Sequence, residues 1–168
     1  SKIDKSVVPG LQGGPHMNAV AAIAVTLLKA QSEEFKAYSQ QVLVNAKTLA
    51  QSLMDQQATL ITGGTDNHMM VVETTSSFGL DGRQAEEVLD KVYITTNKQI
   101  IPDDPNPPLR PSGIRIGTPA ATTRGMVESD MQQLGQWIVT CLQNPEDEAL
   151  LEETRESVKA FCERFPVP

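Results

Sequence analysis

The residue with the clearest capacity for chemistry in this chain is Arg115, set in Gly113-Ile114-Arg115-Ile116-Gly117. A guanidinium stays charged at every working pH and binds a carboxylate through two parallel hydrogen bonds. The alternation of the pentapeptide predicts a strand. A strand would hold the cation rigidly, and the flanking glycines would leave access to it open. Two plainer roles compete: an edge-strand arginine in water, and an arginine paired with an internal acid. A second candidate is Gln12-Gly13-Gly14-Pro15, just ahead of a helical stretch. Glycine amides at a helix N-terminus suit a phosphate, and a simple turn suits the same residues. His16 and His68 are the only histidines. Neither has cysteines or acids at metal-ligand spacing, and Gly63-Gly64-Thr65-Asp66-Asn67-His68 reads equally well as a tight turn. The chain has no P-loop, no GxGxxG and no Ser-His-Asp elbow.

Composition narrows the partners. The 168 residues are 39% hydrophobic and 21% charged, which suits one soluble domain, or one domain plus a piece of another. Aromatics make up 4%, so stacking platforms for single-stranded nucleic acid are few. A net charge of −7 repels phosphate backbones and anionic membranes. No nucleic-acid or membrane partner is expected. The longest apolar run, residues 19–28, falls short of the roughly 20 residues a bilayer span needs, and no secretory signal opens the chain. Cys141 and Cys162 lie on apolar helical stripes and read as reduced core thiols, which fits the cytoplasm.

These candidates need elements to position them. Residues 1–15 read as irregular, and a helix over 17–30 follows, with Val20, Ile23, Ala24, Leu27 and Leu28 at helical spacing. Its alanines leave it apolar nearly all round, as in a helix buried inside something larger. Ser32 caps a second helix running to about residue 56, with Phe35, Tyr38, Val42, Ala46, Leu49 and Leu53 on its stripe. Strands are predicted over 59–62 and 69–75, with short extended pieces at 93–96 and 100–101. Asp81 and Gln84 form a capping box for a helix whose inner face is Ala85, Val88, Leu89 and Val92. Five prolines crowd residues 102–111, as an ordered loop or a loose linker. A further helix carries Val127, Met131, Leu134, Ile138, Cys141 and Leu142. The last helix is predicted to start at Asn144-Pro145-Glu146, with proline at its first position, and to bury Leu151, Thr154, Val158, Phe161, Cys162 and Phe165. The acidic run 146–156 reads as its solvated face. The fold class is α+β: a small, mostly antiparallel sheet of three or four strands covered by helices.

Four motifs in order then narrow the function: Val7-Val8-Pro9-Gly10-Leu11-Gln12-Gly13-Gly14-Pro15-His16-Met17, Gly63-Gly64-Thr65-Asp66-Asn67-His68, Ile94-Thr95-Thr96-Asn97-Lys98, and Ser112-Gly113-Ile114-Arg115-Ile116-Gly117-Thr118-Pro119-Ala120. In identity and order they resemble serine hydroxymethyltransferase, over roughly residues 3–143. The resemblance implies the aspartate-aminotransferase-like fold type I, pyridoxal phosphate as cofactor, and interconversion of serine and glycine with tetrahydrofolate and methylenetetrahydrofolate in a homodimer or tetramer. It implies that residues 1–30 end the large cofactor domain and that 31–143 form the small C-terminal domain; 144–168 read as a helical extension beyond the family's usual last helix, to which the resemblance assigns nothing. Arg115 would then clamp the substrate carboxylate, and Gly13 and Gly14 would offer amides to the cofactor phosphate of the neighbouring subunit. Gln99, Pro107, Pro108 and Leu109 would border the folate site. There the chain departs from the family: Gln99 stands for a common asparagine, Leu109 for an aromatic, Pro107 for a serine. The family's cofactor-binding lysine belongs to a Thr-His-Lys segment that this sequence lacks, so no catalytic residue is assigned here. The chain reads as a C-terminal fragment, inactive alone. Another fold type I aminotransferase and a stand-alone interaction domain are the alternatives.

Overall fold

The computed structural model describes all 168 residues, which divide into two compact units, Ser1–Ala37 and Tyr38–Pro168. The first unit opens with a one-turn helix, α1 (Lys2–Lys5), capped by Ser1, and an irregular turn over Ser6–Leu11. Helix α2 follows over Met17–Ala30, as its periodicity predicts. Every residue of α2 except Ala30 is exposed. Its apolar composition predicts a buried helix, and the helix is exposed. Ser32 caps helix α3 (Glu33–Asp55) by accepting the Phe35 amide at 3.1 Å, and α3 runs on into the second unit.

The second unit is an antiparallel sheet of four strands in the order β1-β2-β4-β3. These are β1 (Thr59–Leu60), β2 (Met69–Glu73), β3 (Asn97–Gln99) and β4 (Gly113–Gly117). One face is buried. Leu60, Met70, Val72, Ile114 and Ile116 pack against α3, α5 (Gly82–Lys91), α7 (Glu128–Gln143) and α8 (Glu148–Glu163) in a single core. Two short helices, α4 (Thr74–Phe78) and α6 (Pro119–Thr123), lie between. Fully buried side chains such as Leu53, Leu89, Ile114, Met131 and Leu142 each contribute about 1.5–3 kcal/mol by leaving water. The expected α+β class, with its helix-backed antiparallel sheet, is the observed one.

Local expectations mostly hold, and some shift: the stretch 1–15, expected to be irregular, contains α1, β1 ends at Leu60 instead of residue 62, and Phe35, expected on the inner stripe of α3, is exposed. The Asp81–Gln84 capping box is present in both directions, at 2.9 and 3.0 Å. The third strand is not at 93–96 or 100–101 but between them, because Asn97–Gln99 find partners on β4. Chain after Glu73 turns into α4 instead of extending β2, since Ser112 already occupies the amides of Thr74 and Thr75. The last helix begins at Glu148, capped by Asp147, and not at Pro145. Val127, expected on an inner stripe, is instead the exposed N-cap residue of α7. Helix α8 docks firmly: Arg124 donates to its terminal carbonyls at Phe165 (2.6 Å) and Cys162 (3.1 Å). A cation there also complements the helix dipole. Cys141 and Cys162 are both free thiols. Burial pushes the Cys141 thiol up, against a hydrogen bond with Thr154.

The start of α5 presses on the start of β4. A Cβ on Gly82 would fall 2.1 Å from the Gly113 carbonyl oxygen. Gly82→Ala should therefore cost about 1–3 kcal/mol, the usual range for overpacking. A urea-unfolding midpoint equal to that of the unsubstituted protein would contradict this contact.

Candidate functional site

The face of the sheet turned away from the helices carries Arg115. Its strand is flanked on both sides, by β2 and β3, with Arg115 in register with Val71 on one side and Asn97 on the other. It is therefore not an edge-strand arginine. Nor is it paired with an acid, since no ion pair in the molecule includes it. Its one hydrogen bond runs from Nε to the side-chain oxygen of Asn97, at 3.1 Å. The Nη groups make no hydrogen bond within the chain. A fixed, exposed guanidinium with its terminal donors unspent is suited to a carboxylate.

Three sets of polar contacts hold this strand in place. Thr118, directly after β4, donates its amide to the His68 carbonyl at 3.0 Å and its hydroxyl to the Val42 carbonyl on α3 at 2.9 Å. The Gly63–His68 turn is itself stapled, with Thr65 Oγ1 on the Met69 carbonyl (2.6 Å) and the Met69 amide on Asn67 Oδ1 (2.9 Å). His68 thus contributes its backbone here. A buried Asn45 ties α3 to Thr122 (2.9 Å) and to the Met126 carbonyl (2.8 Å). On the other side, β3 is clamped to α5. Lys98 Nζ meets Glu86 at 3.0 Å, and the Lys98 amide reaches the other oxygen of the same carboxylate at 3.4 Å.

The proline-rich segment is an ordered loop. Asp104 organises it by accepting four hydrogen bonds: from the amides of Ile101 (3.1 Å), Asn106 (2.9 Å) and Ser112 (2.9 Å), and from the Ser112 hydroxyl (2.6 Å). Desolvation works to raise its pKa, but the hydrogen bonds from Ser112, Asn106 and Ile101 outweigh it and hold the carboxyl well below the usual carboxylate range. Its contact with Ser112 sits one residue before β4, so the clamp also fixes where Arg115's strand begins.

The other residues singled out in the sequence take distinct places. Gln99 is in register with Gly113, two positions along the same sheet face from Arg115, and its amide donates to the Ile100 carbonyl at 3.1 Å. Pro107, Pro108 and Leu109 are exposed on the loop, Leu109 at 77%. Gly13 and Gly14 belong to the first unit, ahead of α2. A Cβ on either would meet nothing within 4 Å, and His16 gives α2 no side-chain cap, so amides of its first turn are unspent. No cluster of three or more His, Cys, Asp or Glu side chains comes together. The sequence reading does not single out Asn97, Glu86 or Asp104. Arg115, Lys98 and Ser112 lie 18, 12 and 8 residues from them, and only the fold brings these pairs together.

The second unit is thus a helix-backed antiparallel α+β sheet whose open face carries an arginine in no ion pair. Comparison with known proteins gives the family. The serine hydroxymethyltransferase family model matches residues 1–138. A serine hydroxymethyltransferase of Methanospirillum hungatei is 45% identical over 165 residues, covering 98% of this chain and 40% of that protein. The chain therefore belongs to the serine hydroxymethyltransferase family, and it spans 40% of the length of that relative. The alignment with the relative includes most or all of α8, beyond the last residue matched by the family model.

Asp104 gives a pH prediction with a definite sign. Its folded pKa is depressed, so its stabilisation is complete above the ordinary carboxylate value of about 4. It shrinks as pH falls below that value and is gone once the folded-state group itself protonates. Asp104→Asn should lower stability at neutral pH and flatten this part of the acid limb. Parallel acid-unfolding curves for the two proteins at equal neutral-pH stability would show that the loop does not depend on this carboxylate.

Proposed function

We propose that the protein containing this chain interconverts serine and glycine, passing the hydroxymethyl carbon to tetrahydrofolate to give 5,10-methylenetetrahydrofolate, with pyridoxal phosphate as cofactor. Within it, this chain supplies the grip on the amino acid. The observation that carries the reading is the unpaired guanidinium of Arg115, fixed on an interior strand with both Nη groups free. The family assignment favours this reaction over that of an aminotransferase of the same fold.

The chain's own residues fit one edge of the cofactor. Gly13 and Gly14 are bare and open, and they precede an uncapped helix start. That combination of amides suits the phosphate group, which we assign to a neighbouring subunit of a homodimer or dimer of dimers. Pyridoxal phosphate, when bound, supplies the electron sink that allows the bond to the hydroxymethyl carbon to break. Arg115 binds the α-carboxylate through two charge-assisted hydrogen bonds and so fixes the amino acid's orientation for that step. Gln99 and the exposed Pro107-Pro108-Leu109 turn border the folate. Leu109 offers an aliphatic contact there in place of an aromatic one. Residues 1–30 act as part of the cofactor domain, 31–143 as the small domain, and 144–168 as its closing helix. The free thiols Cys141 and Cys162 suit the reducing cytoplasm. No helix is long and apolar enough to cross a membrane.

Two experiments test this. Arg115→Ala in the full-length enzyme removes two charge-assisted contacts, each worth about 1.5–3 kcal/mol. It should lower kcat/KM for serine by roughly a hundredfold or more, and unchanged serine kinetics would refute the assignment. The 168-residue chain alone, mixed with pyridoxal phosphate, should show no absorbance of lysine-bound cofactor and no serine cleavage. A borohydride-fixed adduct on one of its lysines would overturn that expectation.

A further inference from the structure

We infer that Asn97 is a positioning residue for Arg115: a neutral brace that orients the guanidinium without spending its charge. The inference rests on Arg115 being the carboxylate clamp, and it adds how the clamp is aimed.

The geometry assigns both ends of the Asn97 amide. Its nitrogen donates to the Lys98 carbonyl at 2.9 Å, and its oxygen accepts from Arg115 Nε at 3.1 Å. The first contact fixes which end of the amide faces the arginine. The second fixes the guanidinium plane about the last rotatable bonds of a long side chain, whose freedom is otherwise lost only when a ligand binds. Arg115 and Asn97 are register partners on adjacent strands, so backbone pairing already sets their separation. The edge strand bearing Asn97 is held in turn by the Lys98–Glu86 contacts on its other face. Side-chain chemistry matters here. A carboxylate in place of Asn97 would form an ion pair and compete with an incoming carboxylate. An amide oxygen accepts one N–H and leaves the full positive charge, and both Nη groups, for the ligand.

The test is a double-mutant cycle in the full-length holoenzyme, reading glycine affinity by titrating the absorbance of the bound cofactor, with steady-state KM for serine and for tetrahydrofolate. Asn97→Ala should weaken glycine and raise the serine KM about tenfold, while the tetrahydrofolate KM stays the same. Asn97→Asp should weaken glycine as well, through charge neutralisation. In an Arg115→Lys background, which has no Nε–H to brace, Asn97→Ala should add nothing. If Arg115→Lys weakens glycine but Asn97→Ala is silent, or if the two effects simply add, the brace is refuted and the clamp stands. If Arg115→Lys is itself silent, the clamp reading fails and the brace with it. A second measurement needs no variant to fold. In the unsubstituted 168-residue chain, the Arg115 Nε–H should exchange with water more slowly than that of an arginine without a partner. Exchange at the rate of a free side chain would also overturn the inference.

Discussion

The proposed function turns on one physical feature, a cation that has been left without a counter-charge. Burying or pairing Arg115 would have been the ordinary outcome for an arginine in the middle of a sheet. Instead β4 places it on the face turned away from the core, between Val71 and Asn97, in no ion pair with an acid. An unpaired charge at a fixed position is a binding offer: the ligand that answers it is a carboxylate or another anion of similar width. The rest of the second unit can be understood as the structure needed to keep that offer rigid.

Rigidity comes from both directions. From below, Ile114 and Ile116 anchor β4 in the core on either side of Arg115. From the ends, Asp104 fixes Ser112 at the start of the strand, and Thr118 ties its far end to the His68 turn and to α3. Several motifs that identify the family therefore serve the site without touching a ligand. The Thr65-Asp66-Asn67-His68 turn folds on its own side chains and presents a carbonyl to Thr118. The proline-rich loop is organised by one carboxylate whose charge the surrounding amides and Ser112 hydroxyl stabilise. Such sites lose precision gradually when a support is removed, because the charge remains while its aim deteriorates.

Much of this was readable from the residues because the relevant signals are local. The alternation around Arg115, the Asp81–Gln84 box and the stripe Leu151–Thr154–Val158–Phe161 each involve neighbours within a turn or two, and all appear as expected. What local reading misplaces is pairing. Strand β3 consists of Asn, Lys and Gln, which no strand propensity favours. It exists because β4 offers it a ladder and Glu86 holds its lysine. The Asp104 clamp and the Asn97 brace escape for the same reason, since a side chain's partner several residues or a whole strand away is a property of the fold. Helix α2 is the converse case: its all-round apolar composition is plain in the sequence and reads as burial, yet the helix is exposed.

The most direct measurement is a crystal structure of the full-length protein with glycine bound in the presence of pyridoxal phosphate. The account predicts the glycine carboxylate on the two Nη groups of Arg115, with Nε still held by the Asn97 oxygen. A glycine carboxylate bound to some other group, with Arg115 turned to solvent or closed onto an acid, would contradict it.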